Sequence, residues 1–422
     1  MVQYPIFSLL ILAIFIIGYL GIIFEHYLKL NKGAISLTMA ALCWSLYFLG
    51  TQAPLGDDLK NLGHHISDVS QIIFFLLGAM TLVEVVDAHK GFTLITDRIH
   101  TSSKRKLLWI ISFVTFFLSS ILDNLTTTIL MISLLKKLIP EKKDRILLAC
   151  IIVLAANAGG AWTPIGDVTT TMLWINGQIS SLAIMKSLLT PSLLSVLLPL
   201  LYYTTRLKGK YPMQAKTNLS PQEPGAKAVF FLGVGGLVFV PIFKGITGLP
   251  PFMGVLLALG IVWIATDFIH RKHDQRTHLK VSRILNQIDT ASMLFFLGIL
   301  LSVNALESAH MLDRIAAWLI EDVQSPALIA TLIGLFSAVI DNVPLVAATM
   351  CMYPLSQFPM DDPFWHMIAY AAGTGGSLLI IGSSAGVAMM SLEKMDFLTY
   401  LKKLTIPALI GFLAGILALV LF

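Results

Sequence analysis

The sequence predicts an all-α polytopic membrane protein, built from two inverted five-helix repeats that each contain a re-entrant hairpin and a broken transmembrane helix. Three observations support this fold class. First, 56% of the 422 residues are hydrophobic and only 13% are charged, whereas about a quarter of the residues in soluble domains are charged. Second, apolar runs of about 20 residues, the length that a bilayer demands, recur along the chain. Third, four motifs of the first half return in the same order in the second half.

Ten apolar stretches are long enough to cross a membrane. They lie at roughly 6–24, 34–51, 70–87, 146–175, 180–205, 228–247, 252–268, 290–306, 363–392 and 404–422. Two further apolar stretches, 107–135 and 326–355, are too short to cross twice, because an arm of ~14 residues extends only ~21 Å as a helix against a ~30 Å hydrocarbon core. We expect these two stretches to be re-entrant hairpins.

The charges of the loops predict the orientation. Of the 29 Lys and Arg residues, 25 lie in the loops at 25–33, 88–106, 136–145, 206–227, 269–287 and 393–403. The other four are Lys60, Lys186, Lys244 and Arg314. By the positive-inside rule the 25 are cytoplasmic, so both termini are expected outside, the first hairpin enters from inside and the second enters from outside. The net charge of +5 is therefore a matter of topology and does not indicate nucleic-acid binding.

The two halves of the chain share motifs that lie 216 to 220 residues apart. FFLLGAMTLVEVVD (74–87) resembles LFFLGILLSVNALE (294–307), TDRI (96–99) resembles LDRI (312–315), SSILDN (119–124) resembles SAVIDN (337–342), and AANAGGAWTPIG (155–166) resembles AAGTGGSLLIIG (371–382). We expect residues 1–206 to form the first repeat, with hairpin 107–135 and broken helix 146–175. Residues 207–227 are then a cytoplasmic linker, and residues 228–422 form the second repeat, with hairpin 326–355 and broken helix 363–392.

Inverted repeats with interrupted helices are typical of secondary transporters, whose site lies near the midplane where the broken segments meet. Gly159, Gly160 and Pro164 interrupt the fourth crossing, and unwound backbone there is tolerated only around a polar cavity. Carboxylate, amide and hydroxyl side chains cluster at the hairpin tips and the breaks, and such hard ligands suit sodium or lithium. The candidate ion ligands are Asp123, Asn124, Thr126, Thr127, Asn157, Asp167, Thr169, Thr170, Asp341, Asn342, Thr374, Ser377, Ser383 and Ser384.

The aspartates Asp123, Asp167 and Asp341 are the candidate sodium ligands. An ionised carboxylate at membrane depth is costly without a partner, and neither the hairpins nor the breaks contain Lys, Arg or His. We therefore expect the partner of these carboxylates to be a mobile ion and not a cationic side chain. Protons and metal cations would then compete for the carboxylates. The local alternative is that each aspartate caps the start of a helix.

Acidic and basic side chains near the span ends suggest secondary roles. Glu84, Asp87 and Glu307 are candidates for a proton relay. The alternative, which the sequence supports equally, is that these carboxylates simply face interfacial water. Eight of the ten histidines lie in loops or at span edges, where solvated side chains are expected: His64, His65, His89, His100, His270, His273, His278 and His310.

The segments LDNLTTT, NAGGAWTPIGDVTTT, SAVIDNVPLVAAT and GTGGSLLIIGSSAG together resemble the NhaD-type sodium/proton antiporters of the ion-transporter superfamily. The resemblance covers nearly the whole chain. It implies a scaffold domain, a transport domain that holds both hairpins and both broken helices, a homodimer, and an elevator-like movement. The second half departs from the first where Ser383 stands in the place of Asp167.

The expected function is therefore exchange of sodium or lithium for protons, with no cofactor beyond the transported ions. The expected location is the bacterial inner membrane, with the lipid bilayer as surroundings and no nucleic-acid partner. A carrier of a small anion, such as a dicarboxylate or arsenite, is the alternative on the same scaffold, because helix N-termini favour anions. We do not expect an enzyme: the Gly-x-Gly-Asp motif of intramembrane aspartyl proteases would need glycine at the position of Pro164.

Overall fold

The computed structural model describes the chain except residues 1–4, 98, 100, 140, 212–222, 272, 273, 314, 315, 318–322, 324, 396 and 422. The middle of the expected linker, His100, His273 and Arg314 thus lie outside the described residues. Within the described part the fold is helical, with one isolated β-bridge between Ser103 and Lys210. Nine helices in that part are long and apolar enough to cross a membrane. The prediction of an all-α polytopic membrane protein is confirmed.

Sixteen helices of eight residues or more are described. They are α1 (Pro5–Ile23), α2 (Lys32–Gly50), α3 (Leu55–Ala88), α4 (Lys104–Ser119), α5 (Asn124–Leu138), α6 (Lys142–Ala161), α7 (Val168–Ile175), α8 (Ser181–Arg206), α9 (Ala226–Thr247), α10 (Pro251–His270), α11 (Thr290–Ser308), α12 (Pro326–Phe336), α13 (Asn342–Met352), α14 (Pro363–Gly375), α15 (Ser384–Glu393) and α16 (Ile406–Leu421). Shorter helical segments are Glu25–Leu28, Thr93–Thr96, Asp274–Leu279, Val281–Ile284, Leu285–Gln287, Phe397–Tyr400 and Leu401–Thr405.

The helix bounds differ from the apolar stretches in two ways. Helix α3 begins at Leu55, well before the expected start at 70, because hydropathy marks only the membrane-embedded part of a helix that continues through polar residues. The expected crossings 146–175 and 363–392 are each two helices, α6 with α7 and α14 with α15. Stretches 107–135 and 326–355 are likewise each divided in two, as α4 with α5 and α12 with α13.

Four of these helices begin inside the protein, and each begins at a capping side chain. Asp123 caps α5, Asp167 caps α7, Asp341 caps α13 and Ser383 caps α15, each by accepting a hydrogen bond from a backbone N–H of the first turn. A cap of this kind satisfies an otherwise unpaired amide and stabilises the helix by about 1 kcal/mol. The polar residues that the sequence places at the tips and breaks are thus also the residues that start the helices.

Equivalent helices of the two halves make equivalent contacts. Helix α2 packs on α11 and α10 packs on α3, while α4 packs on α6 and α12 packs on α14. Likewise α5 contacts α15 and α13 contacts α7. We call α1, α2, α3, α9, α10 and α11 the frame helices, and α4–α8 with α12–α16 the core helices.

The core helices are centred on α6 and α14, which contact each other. Every residue of α6 from Leu148 to Ala161 is buried, and so is every residue of α14 from Phe364 to Gly375. Glycines permit the close packing around them. A Cβ built on Gly159 of α6 would overlap the carbonyl oxygen of Phe116 in α4, and one on Gly375 of α14 would overlap that of Gly334 in α12. The breaks that follow α6 and α14 are therefore held at the centre of the core helices.

Candidate ion-binding site

Asp167 occupies the centre of the polar cluster between the broken helices. Its side-chain Oδ2 accepts hydrogen bonds from Asn124 Nδ2 at 3.0 Å and from Asn342 Nδ2 at 3.4 Å. Its Oδ1 accepts the backbone N–H of Thr169 at 3.1 Å, and the residue is only 2% exposed. The two Asp-Asn motifs thus meet at Asp167 through their asparagines.

Asn157 links this carboxylate to the second broken helix. Its Oδ1 accepts from Asn124 Nδ2 at 3.0 Å, and its own Nδ2 donates to Ser377 Oγ at 2.8 Å and to Ser383 Oγ at 2.9 Å. A side-chain amide has two N–H donors, so Asn124 and Asn157 both use their full donor capacity within the cluster. The network therefore joins residues from both halves of the chain in one buried polar cluster.

Asp123 is satisfied locally. Its Oδ1 accepts the backbone N–H of Thr126 at 2.7 Å, and its Oδ2 accepts the Thr126 hydroxyl at 2.6 Å. The Thr126 side chain is thus committed to Asp123. Two hydroxyls of the same helix, those of Thr127 and Thr128, are buried and have no hydrogen-bond partner among the described residues. Such oxygens are available as ligands for a small cation.

Asp341 has a different environment from Asp123. Its Oδ1 accepts the backbone N–H of Val343 at 3.2 Å, and its Oδ2 lies 3.9 Å from Nζ of Lys32. The expectation that no cationic side chain reaches the aspartates is therefore wrong for Asp341. The sequence could not show this contact, because Lys32 begins α2 of the frame helices and is distant along the chain.

The remaining candidate ligands surround this network. The Thr170 hydroxyl donates to the carbonyl of Asp167 at 2.9 Å, and the Thr374 hydroxyl donates to that of Tyr370 at 2.5 Å. Ser383 also accepts from the N–H of Gly386 at 3.2 Å, and Ser384 follows it as the half-buried first residue of α15. The N-termini of α5, α7, α13 and α15 all lie at residues of this cluster, and their partial positive charges stabilise its carboxylates.

The acidic side chains near the span ends lie apart from this network: within the described residues no hydrogen bond or ion pair joins them to it. Glu84 is half-buried and Asp87 is exposed at the end of α3. Glu307 lines a cavity of about 580 Å³ together with Asp68, His65 and others, and this cavity extends to Met172 of α7 and Ala347 of α13.

Two histidines depart from the solvated state that their positions suggested. His89 and His270 are buried, and their Nε2 atoms lie 2.8 Å apart. Because His89 Nδ1 lies 2.7 Å from the carbonyl of Val85, it must donate there, so a neutral His89 accepts through Nε2. Burial lowers the pKa of His89, which favours this neutral form. The sequence alone could not predict this pair, because His89 and His270 lie at the ends of two different helices.

Soft or multivalent metal ions need ligand sets of several His, Cys, Asp or Glu side chains. Among the described residues, no group of three or more His, Cys, Asp and Glu could hold a metal ion. What the cluster assembles instead is one central carboxylate with amides and hydroxyls around it, and two further carboxylates at neighbouring helix starts. Oxygen donors of this type bind hard cations.

Membrane-length helices around a buried polar cluster, with four helices that start at its residues, define a polytopic membrane transporter. A family model described as "Citrate transporter" matches residues 19–354. The chain is 55% identical over 410 residues to "Sodium/proton antiporter 1" of Arabidopsis thaliana, covering 96% of this chain and 71% of that protein. It is 51% identical to "Sodium/proton antiporter 2" of the same plant, covering 96% and 97%.

A bacterial relative extends the comparison. "Na(+)/H(+) antiporter NhaD" of Vibrio cholerae is 30% identical over 440 residues, covering 96% of this chain and 90% of that protein. The chain therefore belongs to the NhaD-type sodium/proton antiporters. The resemblance seen in the sequence motifs is confirmed.

Proposed function

We propose that this chain exchanges sodium, or lithium, for protons, and that its membrane-embedded aspartates bind the proton and the cation in turn. The observation that carries the proposal is Asp167, a buried carboxylate that accepts hydrogen bonds from both Asp-Asn motifs. The names of its relatives support cation/proton exchange. A carboxylate that binds a cation must be deprotonated, so cation binding releases a proton.

The cluster supplies the remaining ligands. We assign Asp123, Asp167 and Asp341 as the carboxylates that exchange proton for cation. Asn124, Asn157, Asn342 and the hydroxyl residues around them then hold the cation or orient these carboxylates. Glu84, Asp87 and Glu307 are proposed as relay residues between the site and the two membrane surfaces. Glu307 is supported by its place in the cavity that extends to α7 and α13.

The topology that the loop charges predict is part of the proposal. Residues 1–206 and 228–422 would be inverted repeats joined by the cytoplasmic linker 207–227, with stretches 107–135 and 326–355 as re-entrant hairpins and both termini outside. The equivalent packing of equivalent helices supports the repeats. In a background with Cys43, Cys150 and Cys351 replaced by serine, Lys143→Cys should react with an impermeant thiol reagent only from the cytoplasmic side, and Lys60→Cys only from outside. The reverse pattern would overturn the orientation.

The frame helices would form the scaffold and the core helices the transport domain, moving past each other in a homodimer. Bacterial NhaD relatives support the inner membrane of a bacterium as the location. Crosslinking of the purified protein in lipid nanodiscs tests the dimer: a single-chain mass only would contradict it.

The anion-carrier alternative takes its support from the description "Citrate transporter" of the matching family model. The site argues against it. A carboxylate substrate would have to enter a cluster that already holds Asp123, Asp167 and Asp341, and like charges repel strongly where water is scarce. Uptake of labelled citrate by vesicles that show no sodium-dependent proton movement would restore this alternative.

The decisive experiment follows a pH-sensitive dye in everted vesicles when sodium is added. The wild-type protein should release protons from the acidified lumen on sodium addition, and Asp167→Asn should abolish this response. Asp57→Asn is the matched control, because it removes an exposed carboxylate that pairs with the exposed Lys60 at 3.7 Å. Normal exchange by Asp167→Asn at normal expression would reject the mechanism, since a neutral amide cannot take up and release the proton.

A further inference from the structure

Among the residues that follow the two Asp-Asn motifs, one difference changes what the aspartates bind. Thr126 gives Asp123 two hydrogen bonds, one from its N–H and one from its hydroxyl. In the second motif Pro344 occupies that place, and proline has neither donor. Asp341 consequently accepts a single local hydrogen bond, from Val343. Its second oxygen is left for a partner from elsewhere in the fold, and that partner is Lys32.

Lys32 belongs to the frame helices and is held in place there. Asn31 caps α2 by accepting the N–H of Gly33 at 2.8 Å, which fixes the helix start. A Cβ built on Gly33 would lie 3.0 Å from the carbonyl oxygen of Ala291, so α2 approaches α11 closely at this point. The Lys32 ammonium lies 4.5 Å from the ring centroid of Phe295 in α11. A cation over an aromatic face is stabilised there.

The contact between Lys32 and Asp341 is long for an ion pair. The N–O distance is 3.9 Å, and the two side chains remain 28% and 22% exposed. Ion pairs of this kind contribute little to stability. Their charges still act on a third charge nearby, because a cation bound at Asp341 would lie within a few ångströms of the Lys32 ammonium.

We propose that Lys32 is a tethered competitor of the transported cation at Asp341. This proposal rests on the proposed function. With no transported cation bound, the lysine neutralises Asp341 from the frame helices. When sodium takes the carboxylate, the ammonium loses this partner and keeps the ring of Phe295, over which it already lies. Lys32 is thus a positioning residue that sets the sodium affinity of Asp341.

The test compares Lys32→Gln with Lys29→Gln in the same everted vesicles. Lys29 lies on the same predicted cytoplasmic loop and is exposed, so its variant removes the same charge from the surface without touching Asp341. At alkaline pH, where the aspartates are ionised, Lys32→Gln should lower the half-saturating sodium concentration about tenfold relative to Lys29→Gln. Lys32→Arg keeps a cation and should remain within about twofold of wild type.

A binding measurement separates competition from a fault in folding. Sodium binding to purified protein, measured by calorimetry, should be stronger in Lys32→Gln than in wild type. In the Asp341→Asn background, adding Lys32→Gln should leave sodium binding unchanged. An unchanged or raised half-saturating concentration in Lys32→Gln, or a strengthening that persists in the Asp341→Asn background, would overturn the inference. If the wild-type protein shows no sodium-dependent proton exchange, the proposed function itself fails, and the two failures are thereby distinguished.

Discussion

The ion pair between Arg145 and Glu393 ties a half-helix of the site to its neighbour. Arg145 Nε of α6 donates to both carboxylate oxygens of Glu393 at 2.9 Å. Glu393 ends α15, whose first turn is capped by Ser383 in the polar cluster. The carboxylate side chain is 0% exposed and that of Arg145 is 12% exposed. Loss of the arginine therefore leaves a buried charge without its main partner.

The size of the effect follows from that burial. Removing one partner of a buried ion pair costs about 3–5 kcal/mol. Arg145→Met should thus lower the free energy of unfolding by about 3–5 kcal/mol.

The assay is a double-mutant cycle by SDS unfolding in mixed micelles. Arg145→Met/Glu393→Met removes both charges and should recover at least about 2 kcal/mol of the loss, because the buried charge is gone. Lys60→Met is the control, since its pair with Asp57 is 84% and 66% exposed and should matter by less than about 1 kcal/mol. A cost below about 1 kcal/mol for Arg145→Met, or a double variant as unstable as the sum of the single ones, would refute the reasoning.

Three further predictions concern the site and its support. The apparent sodium dissociation constant should rise by up to about tenfold per unit of falling pH, because each proton blocks a carboxylate; a flat titration would show separate sites. Gly159→Ala should destabilise the protein by about 1–3 kcal/mol through overlap with the Phe116 carbonyl, whereas Gly235→Ala in open space should not, and equal denaturation midpoints would contradict this. Because burial lowers the pKa of His89, its stabilising contribution is full above about pH 6.5 and is lost as pH falls from that value through the lowered pKa of the folded state. Thermal unfolding of His89→Gln should therefore be less acid-sensitive than that of wild type, and parallel pH profiles would contradict this.

Features set by local chemistry could be predicted from the sequence. Pro164 and the capping residues Asp167 and Asp123 mark the break and the helix start, and the structure divides the chain at these points. Gly159 and Gly160, which the sequence predicts to interrupt the crossing, remain helical in α6. The apolar runs likewise predicted the membrane helices, apart from the polar first part of α3. Such signals lie within a few residues of the feature that they specify.

Features set by tertiary contact could not be predicted in this way. By motif alone Asp123 and Asp341 are equivalent, yet Asp123 is bonded to its own Thr126 while the asparagines of both motifs converge on Asp167. The partner of Asp341 comes from α2. The geometry of these contacts depends on how helices cross, which the residue pattern around each aspartate does not encode.

The glycine crossings restrict how access to the site can change. Where α4 meets α6 and α12 meets α14, backbone lies against backbone, and side chains there have no room to shift. At the boundary with the frame helices some contacts are of another kind: Lys32 faces Asp341, and Lys244 donates to the carbonyl of Trp174 at 2.8 Å. Polar links made by long, flexible side chains can break and re-form at little cost. We expect the core helices to move as a rigid body. The geometry of the binding site would then be the same whichever face of the membrane the ion is released to.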